Sequence, residues 1–213
     1  MAKRKVSWLL SVEDLQAILR PQVSRFSRSI WPAWDRYQEL PEEHRLVYDG
    51  TTEAGMLHCY MVQAAKKEFD GVPGIQFLEE YGFHLGIDGT AYGIDGLAVC
   101  RFKKFDEDGR SNNYPTERAE ALRRNDEELP GIPRCATIVD VGYCFNGLRT
   151  GFGIVQAVRL KDSKLILSIP QIDDQSVQMP GILPFSPIPV APRFEIIEGG
   201  QSNKKSSEGA DGK

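Results

Sequence analysis

Apolar residues recur along this chain with two different periods, and the change of period divides it. After Ser11, the residues Val12, Leu15, Ile18 and Leu19 stand at helical spacing, and Ser11 with Asp14 reads as a capping pair. Pro21 interrupts the pattern. Val23, Phe26, Ile30, Trp31, Trp34 and Tyr37 then resume near-helical spacing, although Pro32 argues against a single straight helix. The most regular stretch is "TTEAGMLHCYMVQAAKKEFDG", where Leu57, Tyr60, Met61, Ala64 and Phe69 line one face. Thr51 or Thr52 can cap this helix. Glu53 suits the positive end of its dipole and Lys66 and Lys67 the negative end, and Gly71 and Pro73 stop it.

From residue 76 the period shortens to that of strands. The pattern predicts one strand over 82–87, a second over about 96–105, and three more in "RCATIVDVGYCF", "GFGIVQAVRL" and "SKLILSIPQ". "DGTAYGID" reads as a hairpin connection, because Asp-Gly and Gly reach positive φ with little strain. The joints "NGLRTG" and "KDS" are short, so the last three strands should form an antiparallel meander. Before them lie the polar loop "DEDGRSNNYPT", a short charged helix opened by Pro115, and the loop "LPGIP". The expected fold is α+β, with N-terminal helices packed on a mostly antiparallel sheet of about five strands.

The same pattern suggests an organisation. An N-terminal helical segment covers 1–45, an α+β core 46–169, a proline-rich arm 170–198 and a disordered polar tail 199–213. The arm, "MPGILPFSPIPVAPRFEII", cannot donate into a central strand and is expected to lie extended over a surface.

Charge and cysteine content narrow the picture further. A net charge of -4 is not that of a chain dedicated to wrapping nucleic acid, yet seven of the cations fall in the first 36 residues, so a local basic surface fits on an acidic body. Cys59, Cys100, Cys135 and Cys144 form no CxxC pair, and three of them sit in apolar runs. They read as buried free thiols of a reducing cytoplasm. The start of the chain resembles a secretion signal and then fails as one: the apolar run Val6 to Leu10 is short, and Glu13 and Asp14 close it. No apolar stretch is long enough to span a membrane.

Candidate chemistry gathers around "GIDGLAVCRFKKFDEDGRSNNYPT". In a strand, Arg101 and Lys103 share one face while Phe102 and Lys104 share the other. Two cations on one face call for a carboxylate or an anionic ligand opposite them. Arg101 offers a planar fork and Lys103 a point charge. Lys104, Arg110, Ser111, Asn113, Tyr114 and Thr116 add hydrogen-bonding groups, so the block reads as an anion, nucleotide or nucleic-acid site. A second reading sets Asp95, before the strand, with Lys103 and the helix acid Glu53 as a metal-dependent nuclease of restriction-endonuclease type. Arg101 stands where that site needs an acid, and Asp95 then reads as a turn residue. A third reading makes the block the wet end of a strand and a solvated loop. His58 is a secondary candidate, since Cys59 beside it on a helix points about 100° away and forms no dyad with it. Nothing in these patterns calls for a cofactor or a bound metal.

The block "RFKKFDEDGRSNNYPT", followed by "LPGIP" and "VGY", resembles a bacterial family that carries RFKK-D-x-x-G-R-S-x-N-Y-x-T, then LPG-x-P and GY. Its members are encoded beside a regulator that joins an Xre-type helix-turn-helix to an ImmA/IrrE-type metallopeptidase. The resemblance spans about residues 95 to 145, with a looser likeness around His58. It implies the effector half of a two-gene toxin-antitoxin or stress module, with that regulator as protein partner. It implies a context of action rather than a mechanism. A non-catalytic protein that scaffolds the regulator through its aromatic helices and proline arm is the alternative.

Overall fold

The computed structural model of the protein describes residues 9–79, 82–111, 117, 119–120 and 136–172. Helix α1 spans Val12–Leu19 and opens on a complete capping box between Ser11 and Asp14. Pro21 lies in a single 3-10 turn, after which α2 runs through Val23–Gln38. Pro32 lies inside α2 and does not end it. Pro32 itself is exposed, so the carbonyl that loses its donor lies on the wet side, while Phe26, Ile30, Ala33 and Tyr37 hold the other face in the core. A short helix α3, Glu42–Arg45, leads to α4, Gly50–Glu68. The cap of α4 is Asp49, whose carboxylate accepts from the Thr52 N–H at 2.7 Å, rather than either threonine.

Six strands follow in a single sheet, in chain order: β1 Ile75–Leu78, β2 His84–Asp88, β3 Leu97–Lys104, β4 Ala136–Phe145, β5 Phe152–Arg159 and β6 Lys164–Ser168. The strand the pattern missed is β1, which is only four residues long, with Gln76 exposed and its other three residues half-buried. All neighbours pair antiparallel except β3 and β4, which are parallel. A parallel pair needs a long crossover. Here it is the segment between residues 104 and 136, of which Glu117, Ala119 and Glu120 are helical.

The helices cover one sheet face. Leu15, Ile18, Phe26, Ile30, Leu57, Met61 and Phe69 join Leu85, Cys100, Phe102, Val141 and Tyr143 in one core. The N-terminal helices therefore belong to the same core as the sheet. The opposite sheet face carries a smaller cluster of Leu97, Val99, Ala136, Ile138 and Leu160. Helix α1 guards the sheet edge, since the Gln16 side chain donates to the Ile166 carbonyl of β6 at 2.7 Å. The chain leaving β6 is fastened to α2, where Ser27 donates to the Pro170 carbonyl and Trp31 to that of Ile169. The rest of the arm and the tail lie outside the described residues, as do Cys135, Asn113, Tyr114 and Thr116. Among the described residues no helix is long and apolar enough to cross a membrane.

Candidate ligand-binding site

Strand β2 stops short of β3. Their last paired residues are Leu85 and Cys100, so the C-terminal half of β3 has β4 on one side and no β2 partner on the other. Helix α4 closes on that half. An open cavity of about 290 Å³ remains between them. Helix α4 supplies Ala54, Gly55, His58 and Met61, β3 supplies Phe102, Lys103 and Lys104, and β4 supplies Tyr143.

The polar groups of this cavity differ in state. His58 is bonded to the Phe102 backbone, and its pKa is lowered, first by burial and then by the charge of Lys103, with the Phe102 bond opposing. A ring nitrogen that donates to a backbone carbonyl leaves the other nitrogen as an acceptor while the imidazole is neutral. Lys103 also has a lowered pKa, through burial and then Arg101, with Asp140 opposing. Lys104 holds its ammonium 5.0 Å from the centre of the Phe145 ring and has no ion pair among the described residues. The Arg149 guanidinium stands equally close to the same ring and pairs with Glu53 of the first turn of α4 at 2.5 Å. Tyr143 is fully buried, and its ring stacks on Phe152 with centroids 4.2 Å apart. Among the described residues its hydroxyl has no hydrogen-bond partner, and its pKa is pushed up by burial and then by Glu53.

Arg101 is not part of this cavity, and its expected role at an anion surface needs correction. Its side chain is 6% exposed, and Nε and Nη2 both donate to Asp140 Oδ1, at 2.8 and 2.6 Å. The cause is register: the parallel pairing sets Arg101 directly opposite Asp140. The carboxylate demanded by two cations on one face is thus supplied by β4. Asp140 was not foreseen as a functional partner, although an acid inside the apolar run "TIVDVGY" was its signal. Its second oxygen, Oδ2, is buried and has no hydrogen-bond partner among the described residues.

The remaining candidates are spread out. Arg110 is exposed, and Ser111 forms an isolated bridge with Phe105. The turn between them is closed by Asp106, whose N–H donates to the Arg110 carbonyl and whose carboxylate accepts from the Arg110 N–H. Gly109 has φ 72° there, and a side chain on it would meet Gln156 at 2.7 Å. Asp95 is exposed in the connection before β3. Lys103 lies at the far end of that strand, roughly 25 Å away at the rise of an extended chain. The structure does not bring Asp95 and Lys103 together, and Glu53 is engaged by Arg149. Among the described residues no three acids, histidines or cysteines converge as a metal site would require. Of the described cysteines Cys100 is buried, Cys144 half-buried and Cys59 exposed, so the expectation of buried thiols fails for Cys59, which lies on the outer side of α4. All three are free thiols.

Comparison with protein-family models, with curated proteins and with solved structures finds no match.

Proposed function

We propose that this protein recognises an anionic ligand, a nucleotide or nucleic acid, in the cleft between α4 and the C-terminal half of β3, and that it acts in the cytoplasm as the effector of a two-gene toxin-antitoxin or stress module. The observation that carries the reading is the makeup of the cleft. Lys104, without an ion pair among the described residues, His58 with its acceptor nitrogen, and Tyr143, whose buried hydroxyl has no hydrogen-bond partner among the described residues, line one open cavity. A cation without a counter-charge beside a buried unsatisfied hydroxyl favours a ligand that supplies both an anion and a hydrogen-bond partner. The two-gene setting rests on the resemblance of the Arg101 to Thr116 block. The test is expression of the chain with and without the regulator gene. Growth arrest that the regulator relieves, and that Lys104→Ala abolishes, is the expected result. Unimpaired growth under both conditions rejects the effector role.

A scaffold role has one observation in its favour. Leu46, Val47 and Leu148 are 77%, 79% and 85% exposed. The Arg149–Glu53 pair ties the hairpin tip that bears Leu148 to the first turn of α4, which follows Leu46 and Val47. Such apolar exposure suits a protein partner. In this reading Leu46→Asp with Leu148→Asp abolishes capture of the regulator while ligand binding at the cleft persists.

A further inference from the structure

In the cleft an ionisable imidazole stands among ammonium groups. His58 of α4 and Lys103 and Lys104 of β3 are all half-buried, so each keeps a side that a ligand can reach. The apolar part of the lining is already covered. Met61 and Phe102 are buried, and Phe102 has Phe83 stacked on its ring and Phe26 at its edge. Ala54 and Gly55 present little side chain. A ligand of this cavity therefore meets charge rather than an apolar wall.

The charges around His58 are one-sided. Lys103 faces it from β3 and opposes its protonation, after burial has done so. Lys104 has no ion pair among the described residues. Tyr143 faces the cavity from β4 as a neutral phenol, its pKa raised by burial. The acids nearby are engaged elsewhere: Glu53 of α4 by Arg149, and Asp140, on the Lys103 side, by Arg101. Glu79, just past β1, pairs with Lys66 two turns further along α4. The cations that α2 turns toward α4 lie away from His58, Arg36 over Tyr60 and Arg28 on Glu68. An anion entering the cleft supplies the counter-charge these groups lack.

We propose that the cavity takes a dianionic oxyanion, a free phosphate or the terminal phosphate of a monoester, between Lys104 and His58, and that His58 takes up a proton from solvent as the anion binds. This deepens the anion reading of the cleft and rests on it. Two negative charges match an ammonium and an imidazolium, whereas a phosphodiester inside a polynucleotide carries one. Without a ligand, burial and Lys103 keep the imidazole neutral at neutral pH, and a dianion beside it reverses that preference. Protonation and anion binding then strengthen each other by the same factor, so affinity rises as pH falls.

The experiment is calorimetric titration of the full chain, at low salt, with sulfate, inorganic phosphate, a ribonucleoside 5′-monophosphate and dimethyl phosphate, in buffers of different ionisation enthalpy between about pH 7.5 and 5.5. Sulfate is the decisive probe, because its two charges do not change over that range and any proton taken up goes to the protein. Sulfate, phosphate and the monophosphate should bind, and dimethyl phosphate should bind at least about ten-fold more weakly, as expected for loss of a charge-assisted contact. Sulfate should bind with proton uptake and tighten several-fold as pH falls. His58→Gln should bind it more weakly, with neither uptake nor pH dependence. Among the three histidines, NMR titration of the wild type should show one whose pKa rises when sulfate is added. A monophosphate that binds more tightly than phosphate identifies the ester as the source of the anion, and the reverse order identifies the free ion. Sulfate binding without proton uptake, uptake that persists in His58→Gln, or dimethyl phosphate bound as tightly as sulfate overturns the proposal and leaves anion recognition at the cleft intact. So does binding of the monophosphate alone. Failure of all four ligands rejects both readings.

Discussion

At the scale of single residues, the ion pair between Arg101 and Asp140 has the clearest energetic consequence. Both side chains are buried, at 6% and 2% exposure, so neither charge can turn to water when its partner is lost. Asp140→Ala should therefore cost about 3–5 kcal/mol in denaturant unfolding, the range for breaking a buried pair. Arg101→Met combined with Asp140→Leu should recover most of that loss, since both desolvation penalties vanish together. If the double variant is as unstable as the single one, the pair does more than neutralise charge. His58 gives a second prediction, in pH. Its folded pKa is lowered, so the native state binds fewer protons than the unfolded chain just below pH 6.5. The stability it supports is complete above that value and drains away as pH falls toward the folded pKa. Between about pH 7.5 and 5.5 the Tm of the wild type should drop more than that of His58→Gln. Parallel slopes would show that His58 titrates as it does in the unfolded chain. Residue types were legible here: Arg101 does meet a carboxylate, as a cation on that strand face was expected to. Which carboxylate was not legible, because Asp140 lies 39 residues away and only register brings it opposite.

At the scale of elements, α2 and the β3–β4 pair carry the strongest local constraints. Pro32 remains helical because the tertiary core holds the other face of α2. Its ring and missing donor still cost the helix, and its exposure means no packing is lost on replacement. Pro32→Ala should raise unfolding free energy by about 1–3 kcal/mol, less whatever is offset by a freer unfolded chain. No gain would mean that the α2 backbone has already adapted to the proline. Gly142 is constrained by contact instead. A side chain there would stand 1.7 Å from the Lys103 carbonyl oxygen, which belongs to backbone and cannot swing away. Gly142→Ala should destabilise by at least about 3 kcal/mol or prevent folding, read by circular dichroism and denaturant titration. Helices α1, α2 and α4, β2, β3 and the β4–β6 meander were legible because each presents a period, whereas the four-residue α3 is too short to show one. Strand β1 was not, since four residues, none of them fully buried, are too few to show an alternation.

At the scale of the whole molecule, the helices and one sheet face share a single core. Phe26 lies at its centre, with ring centroids 5.1 Å from Phe69 of the α4 end and 6.4 Å from Phe102 of β3. Phe26→Ala should cost about 3–5 kcal/mol, as for large-to-small changes at fully packed aromatic sites. One core also implies one transition. Tryptophan fluorescence, to which Trp31 and Trp34 of α2 contribute, and far-ultraviolet dichroism should lose their native signals at the same denaturant concentration. Separate midpoints would mean that the N-terminal helices unfold as an independent unit.

The sequence by itself determined the α+β class, most of the elements and the alternation that puts Arg101 and Lys103 on one strand face. These are local properties, set by periods of 3.6 and 2 and by caps and breakers within a few residues. Only the tertiary structure decided that β3 and β4 run parallel, that β2 ends at the level of Cys100, and that α4 closes on the half-strand left over. Those facts turn Arg101 inward to Asp140 and leave Lys104, His58 and Tyr143 around an open cavity. The physical reason is that strand partners and register depend on which faces find cover across tens of residues. No local pattern contains that information.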